Sequence, residues 1–216
     1  MAVANFDELN ILESGLYEVP EKSMRSKPYD EYFGDMYLTQ EQVDDRIELA
    51  ETIEEPIIVF LLLMLMMRER EFDPAIPRDA LVTELENADV GDIEYRESLA
   101  DELLDSTLDN MDDPWFFSED RAVFVAENES NTLENKRDFE RAKRRGFRRK
   151  QWIGIPDRRE RDTHRELNNV IIPIDEYFQI GHARGLFPKD TTSVGSTLGS
   201  HPEEVINCRC VSNYLP

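Results

Sequence analysis

Cysteine and basic residues are scarce in this chain of 216 residues. Two cysteines are too few for the disulfide framework of a secreted domain, so we expect synthesis in a reducing, intracellular compartment. The 25 lysines and arginines face 47 aspartates and glutamates, and the net charge of -22 argues against general affinity of the whole chain for DNA. Hydrophobic residues make up 40% of the chain, which allows a real core.

Long hydrophobic segments are missing as well. The longest apolar run, "IIVFLLLMLMM" from Ile57 to Met67, has eleven residues, whereas a membrane-spanning helix needs about twenty. The first residues are acidic and carry no basic segment, so we expect neither a signal peptide nor a membrane span.

The common catalytic motifs are also absent from the sequence. It contains no phosphate-binding loop, no His-Glu-x-x-His, no dinucleotide fingerprint and no Ser/His/Asp order of known type. We therefore do not expect an enzyme. A metal-dependent nuclease or hydrolase centred on Asp157, His164 and the cysteines stays open as an alternative.

Charge divides the chain into two regions. Residues 1–115 hold 31 Asp and Glu against 8 Lys and Arg, whereas residues 116–216 hold 16 against 17. Such asymmetry predicts separate tasks or partners. The sequence predicts an α+β protein in which an acidic, mainly helical N-terminal region precedes a small α+β domain with a long helix and a short antiparallel sheet.

The acidic region is predicted to begin with an extended arm over residues 1–38, because Pro and Gly interrupt any periodicity there. The aromatic residues of this arm could anchor it on another subunit or pack on this chain: Tyr29, Tyr32, Phe33 and Tyr37. An acidic helical region, residues 39–115, follows. Thr39 and Gln42 have capping-box spacing, and Pro56 is expected to break, kink or restart the helix that they open.

The apolar run after Pro56 is rich in Leu and Met, which favours a helix over a strand. A helix that is apolar on every side must be covered all round. Either it is an ordinary core helix or it docks on a partner surface. The residues predicted to make that partner contact are Ile57, Phe60, Leu63 and Met66.

The second region, residues 118–216, changes character. A long helix is predicted from its cap at Ser118 to a stop at Gly146, followed by a short strand around Trp152. Asp157 is predicted to cap a second, polar helix. A strand in "NVIIPID", a long loop over residues 181–203 and a closing strand in "VINCRCVSNY" complete the domain.

The closing strand contains both cysteines, Cys208 and Cys210. Positions i and i+2 of a strand face the same side, so both thiols should point to one place. With His164 and a carboxylate nearby, they would supply zinc's preferred N and S ligands. Two buried cysteines packed on a sheet are the alternative. The predicted metal ligands are His164, Cys208, Cys210 and Asp157, and the wider structural cluster adds Arg159, Arg161 and Arg209.

A basic stretch from Lys136 to Arg165 holds 13 Lys and Arg against 5 Asp and Glu. It could contact DNA phosphates, or it could lie against the acidic half of the same chain. The candidates for DNA contact are Lys136, Arg137, Arg141, Lys143, Arg144, Arg145, Arg148 and Arg149.

An ordered series of short motifs runs through residues 118–213. It comprises Ala126 with Glu129, Lys150 with Trp152, Asp157 with Arg159, Arg161 and His164, then Leu167, Pro173 with Asp175 and Phe178, Pro188 with Asp190, and Asn207 with Cys208, Arg209 and Cys210. This series resembles the Mu F-like domain of tailed-phage minor head proteins. Asn169 replaces the glycine expected after Leu167, and asparagine tolerates the positive φ of such a turn.

The resemblance implies a structural, morphogenetic minor head protein of a tailed bacteriophage, made in the host cytoplasm and located in the virion head near the portal. It implies the portal protein or the major capsid protein as partner, with genomic double-stranded DNA as a further candidate, and a role in head assembly and in DNA packaging or delivery. A structural zinc ion is the one cofactor that the residues suggest. A toxin-like effector carried in the head and a DNA-binding accessory protein remain as alternatives.

Overall fold

The computed structural model describes residues 29–68 and 73–216. Seven α-helices lie in these residues: α1 (Tyr29–Gly34), α2 (Gln40–Arg68), α3 (Ala75–Asn87), α4 (Ile93–Leu108), α5 (Glu119–Arg144), α6 (Asp162–Arg165) and α7 (Pro202–Val205). Short 3-10 helices cover Pro114–Phe117 and Leu198–Ser200.

Five short strands form two antiparallel sheets: β1 (Arg149–Ile153), β2 (Ile171–Pro173), β3 (Phe178–Ile180), β4 (Ala183–Gly185) and β5 (Val211–Leu215). The first sheet has the order β2-β1-β5, with Lys150 opposite Ile172 and Trp152 opposite Ser212. Strands β3 and β4 form a separate hairpin. The predicted α+β class, with a helical N-terminal region and a small antiparallel sheet, is confirmed.

Helix α2 begins with the predicted capping box. The Gln42 N–H donates to Thr39 Oγ1 over 3.3 Å, and the Thr39 N–H donates to Gln42 Oε1 over 3.1 Å. The helix then runs unbroken past Pro56, so a break or restart there was the wrong expectation. Pro56 and its neighbours Ile53 and Ile57 are buried, and this packing holds the helix on both sides of the missing N–H.

Most of the apolar run of α2 is covered by the chain itself, and only Leu62 within it is exposed. Ile57 and Phe60 are fully buried, Leu63 is buried and Met66 is half-buried. Helices α1, α3 and α5 pack against α2, and the contact with α5 is the most extensive. The prediction that Ile57, Phe60 and Leu63 contact a partner is therefore wrong, because a helix from the second region supplies the cover.

The predicted arm is not extended where the structure describes it. Residues Tyr29–Gly34 form a helix, while residues 1–28 of the predicted arm lie outside the described residues. Tyr32 and Phe33 are buried in the same core as α2, so they pack on this chain, and Tyr37 remains exposed. That core also takes in residues of α5 and β5, so it crosses the division that the sequence predicts at residues 115–118.

Helix α5 has the predicted ends. The Ser118 side chain caps its first turn, and Gly146 follows it in a left-handed conformation with φ of 79°. The Gly146 N–H donates to the Lys143 carbonyl and the Phe147 N–H to the Ala142 carbonyl, which is the hydrogen-bond pattern of a Schellman motif.

The polar segment after β1 differs from its prediction. Asp157 caps a tight turn, accepting hydrogen bonds from the N–H groups of Arg159 and Glu160 instead of opening a helix. The helix that follows, α6, has only four residues. Residues 181–203 hold β4 and a 3-10 helix within the predicted loop. Asn169 adopts φ of 67°, as expected from its place in the motif series.

No helix in the described ranges is long and apolar enough to cross a bilayer.

Candidate metal centre

Three of the four predicted metal ligands meet in the interior. His164 Nδ1 lies 3.6 Å from Cys208 Sγ and 3.4 Å from Cys210 Sγ. All three donor atoms lie within 4.8 Å of one another, and all three residues are buried. Both cysteines are free thiols. This is the only such group of potential metal ligands among residues 29–68 and 73–216.

Local structure explains how these side chains converge. His164 lies on α6, and its ring packs edge-on against Trp152 of β1 with centroids 5.5 Å apart. Cys208 and Cys210 lie between α7 and β5, just before the strand predicted to contain them. Two asparagines of α5 fix this segment through its carbonyl groups.

The Asn131 side chain donates to the Cys208 carbonyl over 3.0 Å, and the Asn135 side chain donates to the Cys210 carbonyl over 3.3 Å. Arg46 of α2 completes this network. Its guanidinium group is fully buried and donates to the side-chain oxygens of Asn131 and Asn135, each over 3.1 Å. Burial lowers the pKa of Arg46, and the nearby charge of Asp138 opposes that effect. A buried polar network thus joins α2, α5 and the Cys-x-Cys segment.

A carboxylate that the sequence did not reveal holds the far side of the imidazole. Glu204 Oε2 lies 3.0 Å from His164 Nε2, an ion-pair distance without the alignment of a hydrogen bond. Thr163 Oγ1 donates to the same oxygen over 2.8 Å. A carboxylate beside Nε2 favours the tautomer with the proton there, which leaves the Nδ1 lone pair facing the two sulfurs. Glu204 lies on α7, and no sequence pattern connects it to His164.

The thiols and the imidazole perturb one another. The Cys210 thiol donates to the Cys208 sulfur and, with His164, holds the pKa of Cys208 well below its usual range although burial opposes this. The same contact and burial raise the pKa of Cys210. Burial disfavours the imidazolium, but the Cys208 sulfur outweighs it and raises the pKa of His164. The charge of each of the three groups therefore depends on the other two.

Asp157, the predicted fourth ligand, is not part of this donor group. One of its carboxylate oxygens pairs closely with Arg209 and the other accepts the two N–H groups of its turn. Burial opposes ionisation, but these contacts lower the pKa of Asp157 to about 2. The prediction is corrected for this reason: the carboxylate faces Arg209 instead of the sulfurs.

The arginines of the predicted cluster connect two segments of the chain. Arg209 is buried against Asp157, and the half-exposed Arg159 lies 3.4 Å from the same carboxylate. Arg161 Nη2 donates to the Ile206 carbonyl over 2.5 Å. These contacts tie the loop before α6 to the segment that carries the cysteines.

Most of the predicted DNA-contact residues are paired with carboxylates of this chain. Lys136 pairs with Asp92, Arg137 with Glu134, Arg141 with Asp138 and Asp45, Lys143 with Asp175, and Arg144 with Glu140. Arg145, Arg148 and Arg149 are exposed and have no carboxylate partner within the described ranges. Part of the basic stretch thus lies against acidic residues of the same chain.

The family model described as Phage Mu protein F like protein matches residues 94–213. The match begins on α4, earlier than the motif series at residue 118, and it includes the whole donor group. Neither the curated proteins nor the solved structures yielded a match. The family is one of phage head proteins, whose members interact with other head components. With more than half of its residues inside the match, the chain belongs to the Phage Mu protein F like family.

Proposed function

We propose that the protein is a structural, morphogenetic component of the phage head that docks near the portal during head assembly and DNA packaging. The family match over residues 94–213 carries this proposal. It begins on α4 and ends in β5, and residues of α4, α5 and β5 share one core with α2, so the acidic and the matched regions form a joint scaffold.

The burial of His164, Cys208 and Cys210, which together form the Cys/His group, supports a structural role. The cavity beside His164, Cys208 and Cys210 has a volume of about 20 Å³, enough for one ion or water but not for a nucleotide or peptide. Both thiols are buried, whereas reactive cysteines are partly exposed. These observations favour a structural role for the three residues over a role in a nuclease, a hydrolase or a toxin-like effector.

Helix α4 offers a surface for docking. Four of its five exposed acidic residues follow helical spacing along one face: Glu94, Glu97, Asp101 and Asp105. Within the described ranges only Asp101 has an ion-pair partner, Arg78. Like charges spaced in this way repel one another in the free protein. A basic face on a portal or capsid subunit would relieve that repulsion, so we propose such a face as the partner.

The proposal is tested by counting copies of the chain in purified phage particles. We expect the wild-type chain in particles, cross-linked to the portal protein or an adjacent capsid subunit. The double variant Glu97→Gln/Asp105→Asn should lower the copy number by about tenfold, the equivalent of about 1.4 kcal/mol of binding.

The matched control is Glu166→Gln/Glu176→Gln, which neutralises two exposed carboxylates far along the chain. It should leave the copy number unchanged. Absence of the wild-type chain from particles would contradict the proposal, and an equal loss in both double variants would remove α4 as the docking surface.

DNA contact is a second candidate function, favoured by the three exposed arginines at the end of α5 and the start of β1. If Arg145, Arg148 and Arg149 neutralise three phosphates, the logarithm of the binding constant should fall with the logarithm of salt at a slope of about -2.7. Fluorescence anisotropy with a short DNA duplex measures this slope. Replacing all three arginines with glutamine should abolish this salt dependence. An unchanged slope would exclude these residues as the DNA contacts.

A further inference from the structure

A second buried carboxylate lies beside the Cys/His group. The Glu160 side chain is only 3% exposed, and neither of its carboxylate oxygens has a hydrogen-bond partner within the described ranges. Its one nearby cation is the half-exposed Arg165, with Nε 3.5 Å away. Burying a carboxylate without hydrogen bonds is costly, and a half-exposed arginine offsets only part of that cost, so a further ligand to this carboxylate would be favourable.

Glu160 lines the same small cavity as the three donor atoms. Asp157, three residues earlier, has its oxygens filled by Arg209 and backbone N–H groups. Of the two acidic residues in this loop, Glu160 is thus the one that lines the cavity and whose oxygens have no hydrogen-bond partner in the described ranges.

The spacing of the donor atoms fits a tetrahedral ion. Zinc binds sulfur at about 2.3 Å and imidazole nitrogen at about 2.05 Å, and at a tetrahedral angle these bonds put S and N about 3.6 Å apart. The observed distances from His164 Nδ1 to Cys208 Sγ and Cys210 Sγ are 3.6 Å and 3.4 Å.

Hydrogen bonding to the imidazole can use only one of the two thiols. Two thiols approach a single nitrogen, but the Nδ1 of a neutral imidazole has one lone pair and accepts one hydrogen bond. A cation bound by all three atoms uses the lone pair and both sulfurs at once. Glu204 at Nε2 supplies the carboxylate that commonly orients a metal-bound histidine.

We propose that His164, Cys208 and Cys210 bind a zinc ion and that Glu160 supplies the fourth ligand. The three atoms that lie within 4.8 Å of one another do not include a Glu160 oxygen, so a rotation of this side chain toward the sulfurs closes the site. A site with four protein ligands and no open position is structural. The ion would join the loop before α6 to the segment before β5.

The test is zinc binding by the full-length chain, purified under reducing conditions and reconstituted with zinc sulfate. We expect one zinc per chain by elemental analysis. Cobalt(II) in place of zinc should give the thiolate charge-transfer and tetrahedral d–d bands of a two-sulfur site. The cobalt spectrum is read on the wild-type chain, so it stays informative even where a variant does not fold.

A matched pair of substitutions tests the fourth ligand. Glu160→Gln should weaken zinc affinity about 10- to 100-fold in competition with a chromophoric chelator, a loss of the size seen for groups that support a metal site. Asp157→Asn, the same chemical change three residues away, should keep the wild-type affinity. His164→Ala should bind less than a tenth of the wild-type zinc.

Three results would overturn the proposal. Substoichiometric zinc together with no cobalt thiolate bands would show that the thiols and imidazole hold only one another. Equal loss in Asp157→Asn and Glu160→Gln, or no loss in Glu160→Gln, would remove Glu160 as the fourth ligand. None of these outcomes depends on where the protein lies in the particle.

Discussion

Replacing Arg46 with methionine should destabilise the protein by about 3–5 kcal/mol, the usual effect of removing one partner from a buried charged network. The guanidinium group is fully buried and bonds the side-chain oxygens of Asn131 and Asn135. Each oxygen left without a donor costs about 1–3 kcal/mol, and Asp138 loses a charge partner as well. A domain's whole stability is about 5–15 kcal/mol, so the effect is large.

Urea unfolding followed by circular dichroism measures this loss. The matched control is Arg78→Met, which breaks an exposed pair with Asp101 that has a shorter distance, 2.5 Å. Because solvent screens that pair, the control should change stability by less than about 1 kcal/mol. Adding Asp138→Asn to Arg46→Met should recover part of the loss, because the partly exposed Arg141 is then the one cation left beside this buried carboxylate in the described ranges. Equal effects of Arg46→Met and Arg78→Met would refute the reasoning from burial.

Three further predictions concern single positions. Burial, together with the charge of Glu54, raises the pKa of Glu127 from 4.5 to about 7. Between these two pH values the folded state keeps a proton that the unfolded state has released. The free energy of unfolding therefore falls as the pH rises from 4.5 through about 7. Glu127→Gln should therefore stabilise the protein by about 1–2 kcal/mol at pH 8, after allowance for solvent screening, and have no effect near pH 4.5 in thermal melts. Gly146→Ala should destabilise by about 1 kcal/mol in urea, because φ of 79° strains alanine although no atom crowds its Cβ. Ser118→Ala should cost about 1 kcal/mol by the same measurement through loss of the α5 cap, and an unchanged midpoint would contradict the capping role.

The sequence predicted best what local chemistry decides. The cap at Ser118, the capping box at Thr39 and the stop at Gly146 each depend on a few neighbouring residues, and each lies where it was predicted. For the polar segment after Asp157, the prediction from neighbouring residues was wrong. Its acidic cap residue fits both a helix start and a tight turn, and the ion pair with Arg209, far along the chain, accompanies the turn.

The features that the sequence did not predict depend on contacts between residues far apart in the chain. Ile57 and Phe60 looked like partner contacts because the acidic region alone seemed too small to cover them, but α5 covers them from the second region. At the candidate site, the i and i+2 spacing of the cysteines and the motif series pointed to His164. Glu160 and Glu204 escaped notice because only the folded arrangement of the loop before α6 and of α7 brings them to the group.

The most direct test of the head-protein proposal is a reconstruction of the phage particle without imposed symmetry. The proposal predicts density for the helices α2 to α5 at the portal vertex, with the acidic face of α4 against a basic face of the portal or an adjacent capsid subunit. Particles that are fully assembled and infectious without this chain, with no such density, would contradict it.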